Sequence, residues 1–212
     1  LSSYAGNPRL VDFALLEEWG WLEPGSAAQA IGGAGRRALL RAARAAFVAR
    51  GGAGTLRQFD AAQSVWLDPY VAIREAHQHR PWWQWPAALR DREPDALARA
   101  GTELADELAL VRFEQFVFFR QWQEIRDAAR SRGILLFGDL PIFVAHDSAE
   151  VWIHRHYFNL DAQGQPRVVA GVPPDYFSET GQRWGNPLYD WPQLAADGFR
   201  FWVERLRAQF AL

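Results

Sequence analysis

Three observations predict an α/β fold. Residues 97–132 carry apolar side chains at helical spacing, Ile134-Leu135-Leu136-Phe137 follows as an unbroken apolar run, and an amphipathic helical segment comes after Asp197. A helix feeding a short apolar run without alternation is the pattern of a parallel strand buried on both faces. A chain of 212 residues at 49% hydrophobic and 23% charged can bury one sizeable core.

Taken in order, the chain opens with the turn Gly6-Asn7-Pro8 and the apolar positions Leu10, Val11, Phe13, Leu15 and Leu16. Their mixed spacing leaves strand and short helix both open. Gly32-Gly33-Ala34-Gly35 reads as a linker into an Ala/Arg helix over 36–50, which Gly51-Gly52 ends. Neither glycine tract is a phosphate loop, because no strand precedes it and no acidic ribose partner follows. Residues 68–94 are rich in Pro and Trp, so their prolines should break any long helix, and Trp82, Trp83 and Trp85 should plug a lobe rather than form a surface.

The longest helix spans 97–132. Leu104, Leu108, Val111, Phe118, Trp122 and Ile125 fall in steps of three and four, Gln115 fills one polar gap, and Phe113, Phe116, Val117 and Phe119 widen the apolar arc. Gly133 is placed to stop it. The strand over Ile134–Phe137 ends at Gly138-Asp139. In an α/β barrel the strand C-termini build the active site, so Asp139 has a positional claim on chemistry. From Pro141 to Pro192 there is no long periodic segment. A connection of that length is disordered or functional, and its many aromatics argue for order. Phe199, Trp202, Leu206 and Phe210 then mark the last helix.

Composition excludes several chemistries. With no Cys there is no disulfide, thiolate metal site or Cys nucleophile, and all 23 basic residues are Arg, which removes a Schiff-base or P-loop lysine. A net charge of −2 and a pI near 6.2 give no sign of a nucleic-acid or anionic-membrane surface. No apolar run approaches the ~18 residues of a membrane span and no signal peptide opens the chain, so a soluble cytoplasmic protein is expected. There is no Met, and Leu1-Ser2-Ser3-Tyr4 is not a translation start, which predicts an internal fragment of something longer.

Four groupings compete for a functional role. His146, His154 and His156 lie close in sequence, but His-x-His without an acidic ligand of defined spacing is weak evidence for zinc. Asp147-Ser148-Ala149-Glu150 reads as a capping box opening a short helix through Trp152. Asp161-Ala162-Gln163-Gly164 reads as a hairpin turn rather than a calcium loop. The segment Val172 to Pro187 differs, because it sets Tyr176, Phe177 and Trp184 among rigid prolines and the polar Asp175, Gln182, Arg183 and Asn186. Aromatic planes match the C–H face of a sugar ring, and the polar groups match its rim of hydroxyls.

Those residues carry a resemblance. GDLPIFVAHDSAEVW (138–152) and VVAGVPPDYFSETGQRWGNPLYDW (168–191), with SSYAGNPRLVD near the start and PWWQWPAALRDRE in the middle, resemble the bacterial 4-α-glucanotransferases (amylomaltases) of glycoside hydrolase family 77. The resemblance implies part of a (β/α)8 TIM barrel with a large helical insertion and a long active-site lid loop. It implies residues 1–30 as a barrel loop and entry segment, 31–132 as the helical insertion lobe and barrel helix, and 133–212 as a barrel strand, the glucan-binding lid loop and the following helix. The implied reaction is transfer of α-1,4-glucan segments between maltooligosaccharides by a retaining double displacement, with glucose among the acceptors and no cofactor, metal, nucleic acid or membrane partner. Tyr176 and Phe177 would be the stacking tip, with Asp175, Trp184 and Asn186 also contacting glucan and Asp139 lying behind the nucleophile. The nucleophile and acid/base motifs do not occur in this chain and are expected C-terminal of Leu212. Two other readings of the same residues are a non-catalytic α-glucan-binding protein and an α-amylase-type hydrolase.

Overall fold

The structure, a computed structural model, describes residues 2–75 and 80–211; Leu1 and Leu212, the outer bounds of the expected domains, lie outside them. The elements are α1 (Phe13–Glu18), α2 (Gly32–Phe47), α3 (Ala53–Glu75), α4 (Ala87–Arg90), α5 (Pro94–Glu103), α6 (Ala105–Ser131), α7 (Ala149–Ile153), β1 (Val169–Val172), β2 (Gln182–Pro187), α8 (Trp191–Ala196) and α9 (Arg200–Ala211). The fold is therefore α/β but largely helical, with β1 and β2 pairing as one antiparallel ribbon. The chain divides into two compact units, one of Gly6–Val71 with Leu104–Phe137 and one of Leu1–Ala5, Ala72–Glu103 and Gly138–Leu212.

The first unit is a helical lobe. The opening apolar run resolves as helix α1: the Asp12 side chain accepts from the Ala14 N–H at 2.8 Å, and Phe13 and Leu16 turn inward. Its core gathers Leu16, Trp21, Leu40, Phe47, Phe113 and Val117 from α1, α2 and α6 and the turn after α1. The middle of α6 is buried nearly all round, and Glu114, Gln115 and Gln121 are its buried polar residues. Gln115 accepts from the Gly6 N–H at 2.9 Å and donates to the Gly6 carbonyl at 3.1 Å. Gln121 treats Asp12 the same way, at 3.0 and 2.8 Å. Each amide completes both backbone groups of one residue, so segment 6–12 is pinned to α6 with little buried polarity left over.

Four helix expectations change. Gly32-Gly33-Ala34-Gly35 is the first turn of α2, not a linker, because first-turn N–H groups need no intrahelical partner and the Ala/Arg run propagates back through it. Gly51, at φ 89°, does break the helix, but as a kink over 48–52 from which the chain continues directly into α3. Helix α3 runs through Asp68-Pro69 to Glu75; loss of one N–H is outweighed by burial of Trp66, Leu67, Tyr70 and Val71. The long helix is two, divided at Leu104, and Ile125 is exposed. Its stop is as expected: Gly133 and Ile134 donate to the Arg130 and Ala129 carbonyls at 3.1 and 3.0 Å.

The expected strand over Ile134–Phe137 is absent. These residues carry no regular structure, and Leu135 and Phe137 are 94% and 101% exposed. A strand buried on both faces needs a hydrogen-bonded neighbour on each side. Among the described residues β1 and β2 pair only with each other.

The second unit packs around tryptophans. Trp82, Trp85 and Trp152 are buried, and each indole N–H reaches a carbonyl: His146 at 2.8 Å, Arg80 at 2.9 Å and Arg90 at 2.9 Å respectively. Half-buried Trp83 stacks on the His146 ring at 3.8 Å. Helix α7 is capped by Ser148, whose hydroxyl accepts from the Val151 N–H at 3.3 Å. The reciprocal capping box with Asp147 does not form, because buried Glu150 is engaged elsewhere: it accepts from the Ser2 hydroxyl at 3.0 Å, the Ser3 N–H at 2.5 Å and the Ser3 hydroxyl at 2.6 Å. The hairpin turn at Asp161 forms as expected, Asp161 accepting from Gly164 N–H at 3.0 Å and exchanging with Gln165. Of the expected stripe, Phe199, Leu206 and Phe210 are exposed and Trp202 is half-buried against Tyr189 and Trp191, while Phe201 and Arg205, one turn of α9 apart, face inward.

Candidate functional site

The long connection after Asp139 is organised by the β1–β2 ribbon. Val172 pairs with Gln182 and Gly171 with Arg183, and residues 173–181 close the loop. Gly181, at φ 73°, makes the re-entry into β2; a Cβ there would lie 2.6 Å from the Val172 carbonyl oxygen. Inside the loop, Asp175 Oδ1 accepts from the Phe177 N–H at 2.9 Å and the Ser178 N–H at 2.8 Å. The Ser178 hydroxyl donates to the Gly181 carbonyl at 2.8 Å. The loop is thus braced by its own side chains, an Asx turn followed by a serine tie.

That bracing explains an otherwise costly arrangement. Tyr176 and Phe177 are 97% and 89% exposed at the tip, their rings edge to face at 5.6 Å. The two adjacent large aromatics are held out of the core by a turn that fixes them in place. Trp184, on β2, is half exposed; its indole N–H donates to Gln182 at 3.0 Å and its ring lies 6.2 Å from Phe143. Asn186 donates to the Val144 carbonyl at 2.8 Å, tying the base of the ribbon to the segment before α7.

The structure therefore joins Tyr176, Phe177 and Asp175 in one turn and sets Trp184 and Asn186 on the strand that leaves it. Asp139 stands apart. It is exposed on the irregular segment 134–140, and among the described residues no contact links it to the loop. Two residues not singled out in the sequence hold the chain just beyond it. Arg205, 1% exposed, donates to the Pro141 carbonyl at 2.7 Å and to the Tyr189 hydroxyl at 3.2 Å. Tyr189 in turn donates to the Ile142 carbonyl at 2.7 Å, and burial pushes its phenol up to about 12, so it stays a donor. The Arg205 guanidinium also sits over Trp202 at 4.9 Å. The available signal was an arginine four residues after Phe201, at core spacing in a helix.

The three histidines do not converge. His146 donates its Nε2–H to the Gly164 carbonyl at 2.7 Å, while His154 and His156 lie against Tyr157. Among the described residues no three potential ligands are grouped to hold a metal ion. No helix among them is long and apolar enough to cross a membrane.

A family profile described as 4-alpha-glucanotransferase, glycoside hydrolase family 77, matches residues 1–212. The chain is 44% identical over 224 residues to a 4-alpha-glucanotransferase of Thermus thermophilus, covering all of this chain and 45% of that protein. It is 51% identical over 155 residues to one from Synechocystis, covering 71% of this chain and 31% of the relative. Among solved structures it resembles amylomaltase from Streptococcus agalactiae in complex with acarbose, with a TM-score of 0.90 and 32% identity, covering 98% of this chain and 45% of that one. The chain thus spans less than half the length of these relatives.

Proposed function

The chain belongs to the 4-alpha-glucanotransferase family, glycoside hydrolase family 77, and from that premise we propose that the whole protein transfers α-1,4-glucan segments between maltooligosaccharides. The exposed Tyr176–Phe177 pair carries this reading, because it offers a saccharide ring two apolar planes on a turn braced by Asp175, with the polar groups of Trp184 and Asn186 on the strand that leaves it. The acarbose complex of the Streptococcus agalactiae relative supports a ligand of that kind.

The reaction is a retaining double displacement. A carboxylate attacks the anomeric carbon while a second carboxyl group gives its proton to the departing sugar oxygen; an acceptor 4-hydroxyl then returns its proton to that group as it displaces the carboxylate. The two carboxyl groups belong about 5–5.5 Å apart. We assign both to sequence C-terminal of Leu212, and to Asp139 a supporting contact behind the nucleophile. In this reading the fold is part of a (β/α)8 barrel. Residues 1–30 form a barrel loop and entry segment, 31–132 the helical insertion and a barrel helix, and 133–212 a strand, the lid and the helix after it. Ile134–Phe137 then gains the strand neighbours it lacks here. Glucose serves as an acceptor, and the setting is cytoplasmic.

Chromatography of the products from maltotriose tests the proposal. The whole protein should yield oligomers longer than maltotriose, and residues 1–212 alone should yield none. Only shorter sugars from the whole protein would mean hydrolysis, and no conversion at all would mean a glucan-binding protein.

A further inference from the structure

The helical lobe holds a cavity of its own. It measures about 270 Å³ and lies where the kink at 48–52 turns α2 into α3, with α6 closing the third side. Leu56 and the fully buried Phe113 form its apolar wall, and the small Ala53 and Ala109 leave the space open. Its rim is charged. Arg44, Arg57 and Arg112 contribute guanidiniums and Asp60 a carboxylate. Arg112 is occupied by Asp68 at 2.7 Å, whereas Arg44 and Arg57 make no hydrogen bond or close ion pair among the described residues. Two guanidiniums free at the mouth of an apolar cavity are suited to charge-assisted, bidentate capture of an oxyanion. Half-buried Asp60, beside them, is placed to accept from a hydroxyl.

We infer that this cavity binds a small hydroxylated oxyanion, such as a sugar phosphate or a hydroxy-carboxylate, with Arg44 and Arg57 on the anionic group and Asp60 on a hydroxyl. The site is independent of the transfer chemistry proposed above, and its failure would leave that proposal untouched. Burial raises the Asp60 carboxyl from the ordinary value, with Arg44 and Arg112 opposing and Asp68 reinforcing the shift.

Calorimetric titration of the folded chain at low salt tests the inference with four probes: glucose 1-phosphate, gluconate, inorganic phosphate and glucose. Glucose 1-phosphate or gluconate should bind in the millimolar range or better, and glucose should not. Whichever of the two binds identifies the headgroup. Arg44→Gln with Arg57→Gln should weaken that binding at least about tenfold with an unchanged melting temperature. Arg130→Gln, at the far end of α6, should leave it unchanged. Absence of binding by both hydroxylated anions at ~10 mM, or equal binding by the double variant, would overturn the site. Inorganic phosphate binding as tightly as glucose 1-phosphate would overturn the role of Asp60 and the hydroxyl.

Discussion

Asp175 and Ser178 grip each other across the tip of the ribbon loop: the Asp175 carboxylate accepts from the Ser178 N–H at 2.8 Å, and the Asp175 N–H donates to the Ser178 carbonyl at 2.9 Å. Between them stand the two most exposed aromatics of the loop. The turn sets where Tyr176 and Phe177 point, so the glucan contact proposed for them would be preorganised rather than induced.

Loosening that turn should therefore cost affinity without touching a ring. Asp175→Ala should raise the KM for a maltose acceptor about 3- to 10-fold, on the scale of losing one capping carboxylate. Asp175→Asn keeps an acceptor oxygen and should recover most of the effect. An equal defect in both variants would make Asp175 a direct glucan contact instead.

Asp139 is proposed to act behind the nucleophile, so it should be silent in binding and visible in turnover. Asp139→Asn in the whole protein should lower kcat by at least about tenfold, roughly 1.4 kcal/mol of barrier, with the melting temperature retained. Normal turnover with lowered stability would reduce it to a structural residue of the loop.

The paired glutamines of α6 make a stability prediction for the helical lobe. Gln115→Leu strands the buried N–H and carbonyl of Gly6 and should cost about 2–4 kcal/mol in a urea titration. Gln121→Leu, facing the more open Asp12, should cost less. A neutral Gln115→Leu would mean that segment 6–12 is held by its apolar contacts alone.

His154 makes stability depend on acidity. Burial, helped by His156 and Arg92 and opposed by Glu150, pushes its imidazole down from 6.5 to about 4. The unfolded chain therefore binds a proton that the folded chain refuses. Stability is fully present above pH 6.5 and falls as the pH drops toward 4. His154→Leu should lose less stability than the parent over that window, by about 1–2 kcal/mol given the ring's partial exposure. Parallel pH profiles would show that the imidazole is solvated in either state.

Local signals account for much of this architecture. The buried middle of α6, its stop at Gly133 and the turn at Asp161 follow from spacing and turn chemistry. Long-range partners account for the rest. Ile134–Phe137 has a strand's composition but no strand beside it, and composition cannot supply a neighbour. Pro69 would end an isolated helix, yet the burial of Trp66, Leu67, Tyr70 and Val71 carries α3 past it. Arg205 and Glu150 are invisible as core residues because their partners, Pro141 and Tyr189 for one and Ser2 and Ser3 for the other, are far away in sequence. In the candidate site, the turn residues and exposed rings are legible from 172–187, whereas the buried Arg205–Tyr189 clamp on Pro141 and Ile142 is not.

The most direct measurement is acceptor use by the whole protein carrying Tyr176→Ala and Phe177→Ala together, with labelled glucose added to a maltooligosaccharide donor. If the loop stacks against the acceptor, transfer to glucose should weaken by roughly 1–3 kcal/mol, the scale of one or two aromatic contacts, while the melting temperature holds because both rings are exposed. Transfer to glucose unchanged by the double substitution would contradict the assignment of this loop as the glucan-binding lid.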